Sequence, residues 1–473
     1  NTSYCIGPQN QIKSGLDNGD GAGIAADGQL HSDEIDISYF VCERTFILKD
    51  INNGSSGGYP SDFAVMGGTL YFRANDGIHG HELWKSDGTA NGTVMVKDIK
   101  NGSSASVPEY LTVMNNTLYF KANDGNHGDE LWKSDGTANG TIMVKDIFSG
   151  SSNSRPVYLT VLSNSLYFKA NDGTNGAELW KSNGTANGTI MVKDIWSGST
   201  TSGSQHYTVL GNTLYFTAHD GTYGSELWRS DGTASGTVMV KDIYNGIAGA
   251  SVVRITAIGN NIYFRANDGN NGYELWRSDG TASGTIIVKD ICSCILGGFP
   301  TELTAIGNTL YFQADDGTHG NELWKSDGTA SGTVMVKDIY SGSGESNPSN
   351  FISVGNTLYF SADDGNNGSE LWKSDGTALG TVMVKDIYSG SGESNPSNFF
   401  AINNTLYFSA DDGTYGYELW KSDGTASDTV MVIDINSGSG SSSVNRLIAI
   451  GNTLYFSADD GNNGSELWKS DLL

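Results

Sequence analysis

Two kinds of residue in this chain have types and spacing suited to chemistry: clustered carboxylates and paired cysteines. Near the front, Asp17, Asn18, Asp20, Asp27 and Glu34 gather in one Gly-rich stretch. Ca²⁺ takes about six to eight oxygen ligands, and carboxylates spaced around a sharp Gly turn supply them. These five residues are the candidate Ca²⁺ ligands; the competing reading is a solvated acidic arm. A second carboxylate pattern recurs along the chain as Asp-Gly-x-x-Gly-x-Glu, for example from Asp316 and Gly317 to Gly320 and Glu322. Its two acids could close on a cation. A hairpin turn in which Asp caps backbone amides and Gly takes positive φ explains the same residues. Identity in every copy favours the turn, because a working site usually breaks symmetry.

The four cysteines are Cys5, Cys42, Cys292 and Cys294. Cys5 and Cys42 flank the front arm and would staple it into a loop. Cys292 and Cys294 sit in the longest departure from the surrounding pattern, and are expected to be oxidised with each other or with a partner chain. An even count in a chain that reads as secreted favours two disulfides. Asn-x-Ser/Thr sequons occur at Asn53, Asn91, Asn101, Asn115, Asn139, Asn183, Asn187, Asn367, Asn403 and Asn463, besides Asn1. Most are Asn-Gly turns, so turn chemistry competes with glycosylation as their explanation. His79, His127 and His319 share one variable turn position where other copies carry Asn or Tyr, which reads as tolerated variation. His206 stands apart in an aberrant segment. No nucleophile elbow, phosphate loop or His-Glu-x-x-His motif is present, so no catalytic constellation is expected.

The formal charge is −26. A chain this acidic repels phosphate backbones, which argues against nucleic acid and anionic membrane surfaces as partners. No run of 18 apolar residues exists to span a bilayer as a helix. The first residue is Asn1 rather than Met, which reads as a mature product after processing. Location outside the cell is the expectation.

The elements that must carry these residues follow from a repeat. Glu-Leu-Trp recurs with Trp at 84, 132, 180, 228, 276, 324, 372, 420 and 468, always 48 apart. One unit, from Phe351, predicts four short antiparallel strands. The first ends at Val354. The second is Thr357 to Ala362, the third Glu370 to Lys373, and the fourth Thr381 to Ile387, with Gly, Asn and Asp turns between them. Nothing has helical periodicity. Four strands in such a unit is the size of a propeller blade. The ninth unit stops at Leu473, short of its fourth strand, and Thr45 to Ile51 at the front matches that missing piece. An all-β, closed β-propeller of nine four-stranded blades is expected, its last blade completed by residues 44–51. Such sharing hides strand edges. Residues 44–473 form the ring and residues 1–43 a separate stapled module.

The run Glu-Leu-Trp-x-x-Asp-Gly-Thr, whole at Glu82 to Thr89 and Glu322 to Thr329, resembles the signature of the ELWxxDGT repeat family. Asn183 replaces its Asp in the third copy. The resemblance covers residues 44–473 and implies secreted or surface-exposed propeller-like proteins without implying one activity. Residues 1–43 resemble a small two-cysteine module of bacterial surface proteins with an EF-hand-like centre. In that resemblance Asp27, Gly28 and Glu34 keep three loop positions, and Ala22 to Ala26 are an insertion that displaces the earlier ligands.

The function expected is a non-enzymatic extracellular structural or adhesion protein that self-associates through its N-terminal arm into a filament or matrix. A glycan-binding propeller is the alternative and an extracellular hydrolase the third reading. The signature tryptophans are expected in the blade core rather than as a sugar platform. If blades read a ligand, they should differ in the segment after each Lys-Asp-Ile, which holds Tyr110, Arg155, Trp196, Tyr244, Arg254 and Phe299.

Overall fold

The computed structural model describes residues 44–472. β1 (Arg44–Lys49) precedes the first complete blade, which is β2 (Ser61–Met66), β3 (Thr69–Asn75), β4 (His81–Ser86) and β5 (Val94–Lys97). The described residues form nine four-stranded antiparallel sheets of this kind, and no helix. The ninth sheet is completed by β1, which pairs with Ser465–Asp471. Ile47 stands opposite Trp468 and Lys49 opposite Leu467, the register that Met95 and Lys97 adopt against Trp84 and Leu83 in the first blade. β1 is therefore the missing fourth strand of the last unit, bulge included, and the ring is a closed β-propeller of nine blades.

The cores lie between blades rather than within them. Tyr71, Leu83, Val96 and Ile99 of the first blade pack with Leu118, Phe120, Ala122 and Trp132 of the second. Leu48, Ile51, Tyr455 and Leu467 of the ninth meet Leu70, Phe72, Ala74 and Trp84 of the first. Each sheet thus buries both faces, which explains strands in which consecutive apolar residues are buried instead of alternating. The repeated tryptophans are core residues, with Trp84 only 7 % exposed.

The signature residues divide this labour. Lys85 Nζ reaches the carbonyl oxygen of Gly136 in the next blade at 2.9 Å. Lys97 Nζ reaches the carbonyl of Thr141 at 2.7 Å and lies 5.9 Å from the centre of the Trp132 ring. Asp87 Oδ1 accepts from the Thr89 amide at 2.9 Å and its hydroxyl at 2.7 Å, closing the Asp-Gly-Thr turn. Asn183 does the same for Thr185, so the one departure from the signature keeps its turn.

The fourth strand is shorter than expected, Val382–Lys385 instead of Thr381 to Ile387. Thr381 is held in the preceding turn by Ser374 and the Thr377 carbonyl, and the Ile387 amide donates to Glu370.

Candidate functional site at the channel mouth

The first strand of every blade lies against the first strands of both neighbours, so these nine strands surround the ring axis. Each strand begins where the segment after Lys-Asp-Ile ends. The variable segments and the Asp-Gly-x-x-Gly turns therefore share one face, and the Asp-Gly-Thr turns occupy the other.

The repeated Glu anchors the variable face. Glu82 is fully buried. It accepts from the amides of Ile99 and Ser106, each at 2.9 Å, and from the Ser106 hydroxyl at 2.6 Å. Burial pushes its carboxyl up to about 7, against the pull of Ser106 and Ile99. Glu466 does the same for the front of the chain, accepting from the amides of Ile51 at 2.8 Å and Asn52 at 3.2 Å. The Asp of the motif works separately. Asp76 Oδ1 caps the amides of Ile78 and His79, and its Oδ2 meets His79 Nδ1 at 2.7 Å. Asn175 and Asn271 make the same contact in their blades. The two acids are engaged by different partners, so the turn is structural, and His79, His127 and His319 are turn residues equivalent to Asn.

What distinguishes the blades is a set of positions around the axis. The second residue of each first strand has φ near +57°: Asp62 (54), Tyr110 (61), Tyr158 (60), His206 (57), Arg254 (59), Glu302 (56), Asn350 (57), Asn398 (54) and Arg446 (58). This left-handed region favours Gly. The chain has 63 glycines, yet places none at these nine sites. Seven of the nine side chains are exposed, Asp62 and Glu302 being half-buried. They form a necklace. The Tyr110 and Tyr158 rings meet edge-on at 6.5 Å, and Tyr158 meets Tyr207 at 6.1 Å. Asn350 reaches the Pro396 carbonyl and Asn398 that of Val444.

The necklace is chemically lopsided. In the first two blades Arg73 pairs with Glu109 at 2.7 Å and Asp62 at 3.5 Å, and Lys121 pairs with Glu109 at 2.6 Å. In blades three to five Lys169, Arg254 and Arg265 form no ion pair among the described residues. Between blades seven and eight, Ser349, Asn350, Ser361, Asn395, Ser397 and Tyr417 line a shallow cavity of about 330 Å³.

Of the variable residues singled out in the sequence, the structure brings Tyr110, Arg254 and Phe299 to this mouth, with Arg155 exposed on the adjoining loop. Trp196 instead stacks on His219 at 4.3 Å, and Tyr244 packs against Gly269. Sequence reading missed Tyr158, Lys169 and Arg265 and assigned His206 no partner; aligning the units at their 48-residue step would have set these positions side by side. Cys292 and Cys294 form a disulfide, their sulfurs 2.08 Å apart. The candidate Ca²⁺ ligands Asp17, Asn18, Asp20, Asp27 and Glu34, with Cys5 and Cys42, lie outside the described residues. Among the described residues no group of three His, Cys, Asp or Glu side chains could hold a metal. Of the sequons, Asn53, Asn91, Asn101, Asn115, Asn139, Asn183, Asn187 and Asn403 are exposed. Asn367 and Asn463 are half-buried and donate their amides to Asp364 and Asp460.

No protein-family model matches the chain, and no curated protein matches it. Among solved structures it is similar to the computationally designed Ika8 protein, at 17% identity over 77% of this chain and 96% of that one, with a TM-score of 0.44. It is also similar to puromycin hydrolase, at 12% identity over 75% of this chain and 58% of that one, TM-score 0.38. A prolyl endopeptidase matches at 11% identity over 75% of this chain and 54% of that one, TM-score 0.40. The chain spans a little over half the length of the two enzymes.

Proposed function

We propose that this chain is a non-enzymatic extracellular adhesion scaffold, a rigid ring that presents its channel mouth to a surface glycan. The observation that carries the reading is the necklace of nine left-handed positions. A non-Gly residue in such backbone is strained, and strain is kept where a side chain is needed. Here the scaffold is nearly identical from blade to blade, while the strained positions carry Asp, Tyr, His, Arg, Glu and Asn. Exposed tyrosines in blades two and three, with hydroxyl and amide groups across the mouth in blades seven and eight, suit sugars, which offer apolar ring faces and many hydroxyls. The non-enzymatic reading is supported by the raised carboxyls being repeated loop anchors in every blade rather than one constellation in a cleft. Self-association through residues 1–43 completes the scaffold reading.

A glycan array with the full chain tests it. The expected result is selective binding that falls at least tenfold when Tyr110 and Tyr158 are both replaced by Ala. An array with no selective binder, or binding untouched by those replacements, would refute the reading.

A further inference from the structure

We infer that blades three to five of the channel mouth hold a single oxyanion of an acidic saccharide, a carboxylate or a sulfate, with Arg254 and Arg265 as the binding pair. This rests on the adhesion reading and names the ligand class at that mouth.

Arg265 stands opposite Val253 across the first two strands of the fifth blade, so Arg254 and Arg265 belong to one corner of it. The Arg265 guanidinium lies 4.4 Å from the centre of the Phe299 ring and 5.4 Å from that of Tyr273. Its Nε is buried and has no hydrogen-bond partner. Lys169, two blades back, lies 5.0 Å from the centre of the exposed Tyr158 ring. Among the described residues no carboxylate lies within ion-pair distance of Lys169, Arg254 or Arg265. The acid on the flanking necklace position is Glu302, in blade six.

A half-buried cation flanked by aromatic rings, with no counter-ion among the described residues, is arranged to receive an anion. The planar guanidinium fork matches a carboxylate or sulfate, and two forks fix its orientation. Burial and then the neighbouring Arg254 hold the Arg265 guanidinium below its ordinary value, and burial with Arg254 and Arg265 does the same to His206. Burial is the larger cause of both shifts and the neighbouring arginines add to it, in a chain whose formal charge is −26. The surrounding field rejects long polyanions. A short acidic group that reaches the mouth meets Arg254 and Arg265 there. The exposed Tyr158 ring, two blades back on the same mouth, supplies the flat surface a sugar ring needs, which favours a saccharide over an acidic peptide.

The test is calorimetry on the full chain with four probes: a galacturonate tetramer, a sulfated tetrasaccharide, a neutral glucose tetramer and a glutamate tetrapeptide. Binding of one acidic sugar at least tenfold tighter than the neutral one is expected, and the tighter of the two identifies the oxyanion. Arg254→Gln with Arg265→Gln should erase that preference, Lys169→Gln should weaken it, and Arg229→Gln, at an exposed position on the third strand of blade four, should leave it intact. Equal affinity for acidic and neutral sugars would overturn the inference while leaving the glycan reading standing. Tighter binding of the peptide than of either acidic sugar would overturn it in favour of a protein ligand, and no binding of any acidic probe would overturn it outright. Should the double variant melt early, Lys169→Gln alone carries the test.

Discussion

Glu82 and its equivalents decide how the variable face responds to pH. Seven of these carboxyls, Glu82, Glu130, Glu178, Glu226, Glu274, Glu418 and Glu466, are pushed by burial up to about 7, and Glu322 and Glu370 are raised by the same cause. An acid raised on folding means that the folded ring binds more protons than the unfolded chain between about 4.5 and about 7. Stability therefore falls as pH rises through that window. The half-buried His79, His127 and His319 are raised by the bond to their turn Asp, and their contribution is also lost as pH rises through the folded value. The melting temperature should be higher at pH 5 than at pH 8; the reverse order would contradict this assignment. Glu322→Leu removes the acceptor for Ile339 and Ser346, and should cost about 1–3 kcal/mol in chemical denaturation. The necklace behaves oppositely. Arg254→Gly and Arg446→Gly relieve left-handed strain and should leave stability unchanged or raise it by up to about 1 kcal/mol, whereas marked destabilisation would mean these side chains hold the ring. The Asp of each turn was legible from the sequence because Asp-Gly is local turn chemistry. The role of Glu was not, because its donors lie 17 and 24 residues further on, beyond any local pattern.

Among the elements, β1 and the blade it completes form the seam. The Lys that reaches a Thr carbonyl of the next blade does so at seven interfaces, from Lys97 to Lys385. Ile433 takes its place before the ninth blade and packs into the apolar cluster there. The seam instead relies on Thr45 Oγ1 bonding Ser470 Oγ at 2.8 Å, on the β1 ladder, and on Glu466. Deleting residues 1–51 strips the ninth blade of its fourth strand and should expose an edge. Aggregation, seen by light scattering, is the expected outcome; a soluble monomer that melts like the full chain would contradict the closure argument. Deleting residues 1–41 alone spares β1 and asks about the arm. Sedimentation should show assembly for the full chain and monomers for the deletion, and monomers for both would remove self-association from the proposal. Closure was legible because a unit cut in two has no other use for its halves. The length of the fourth strand was less so, since Thr381 and Ile387 have strand-forming side chains but spend their polar groups on turn and anchor.

At the scale of the whole molecule, nine nearly identical blades make a ring with one uniform face and one varied face. The uniform face carries the Asp-Gly-Thr turns. The varied face carries loops pinned by buried Glu and a mouth whose side chains change from paired charges, through unpaired cations on aromatic rings, to hydroxyls and amides. Blade count and closure could be read from spacing alone. The mouth was less legible, because its residues are 48 apart in sequence and come side by side only when the units are aligned or the ring closes. The proposal's central claim is that this mouth makes the contact. Hydrogen exchange on the full chain, with and without the glycan selected by the array, tests it most directly. The account predicts slowed exchange around residues 107–110, 155–158, 203–206 and 251–254, with the Asp-Gly-Thr turns unchanged. Slowing confined to those turns, or to the outer strands, would contradict it.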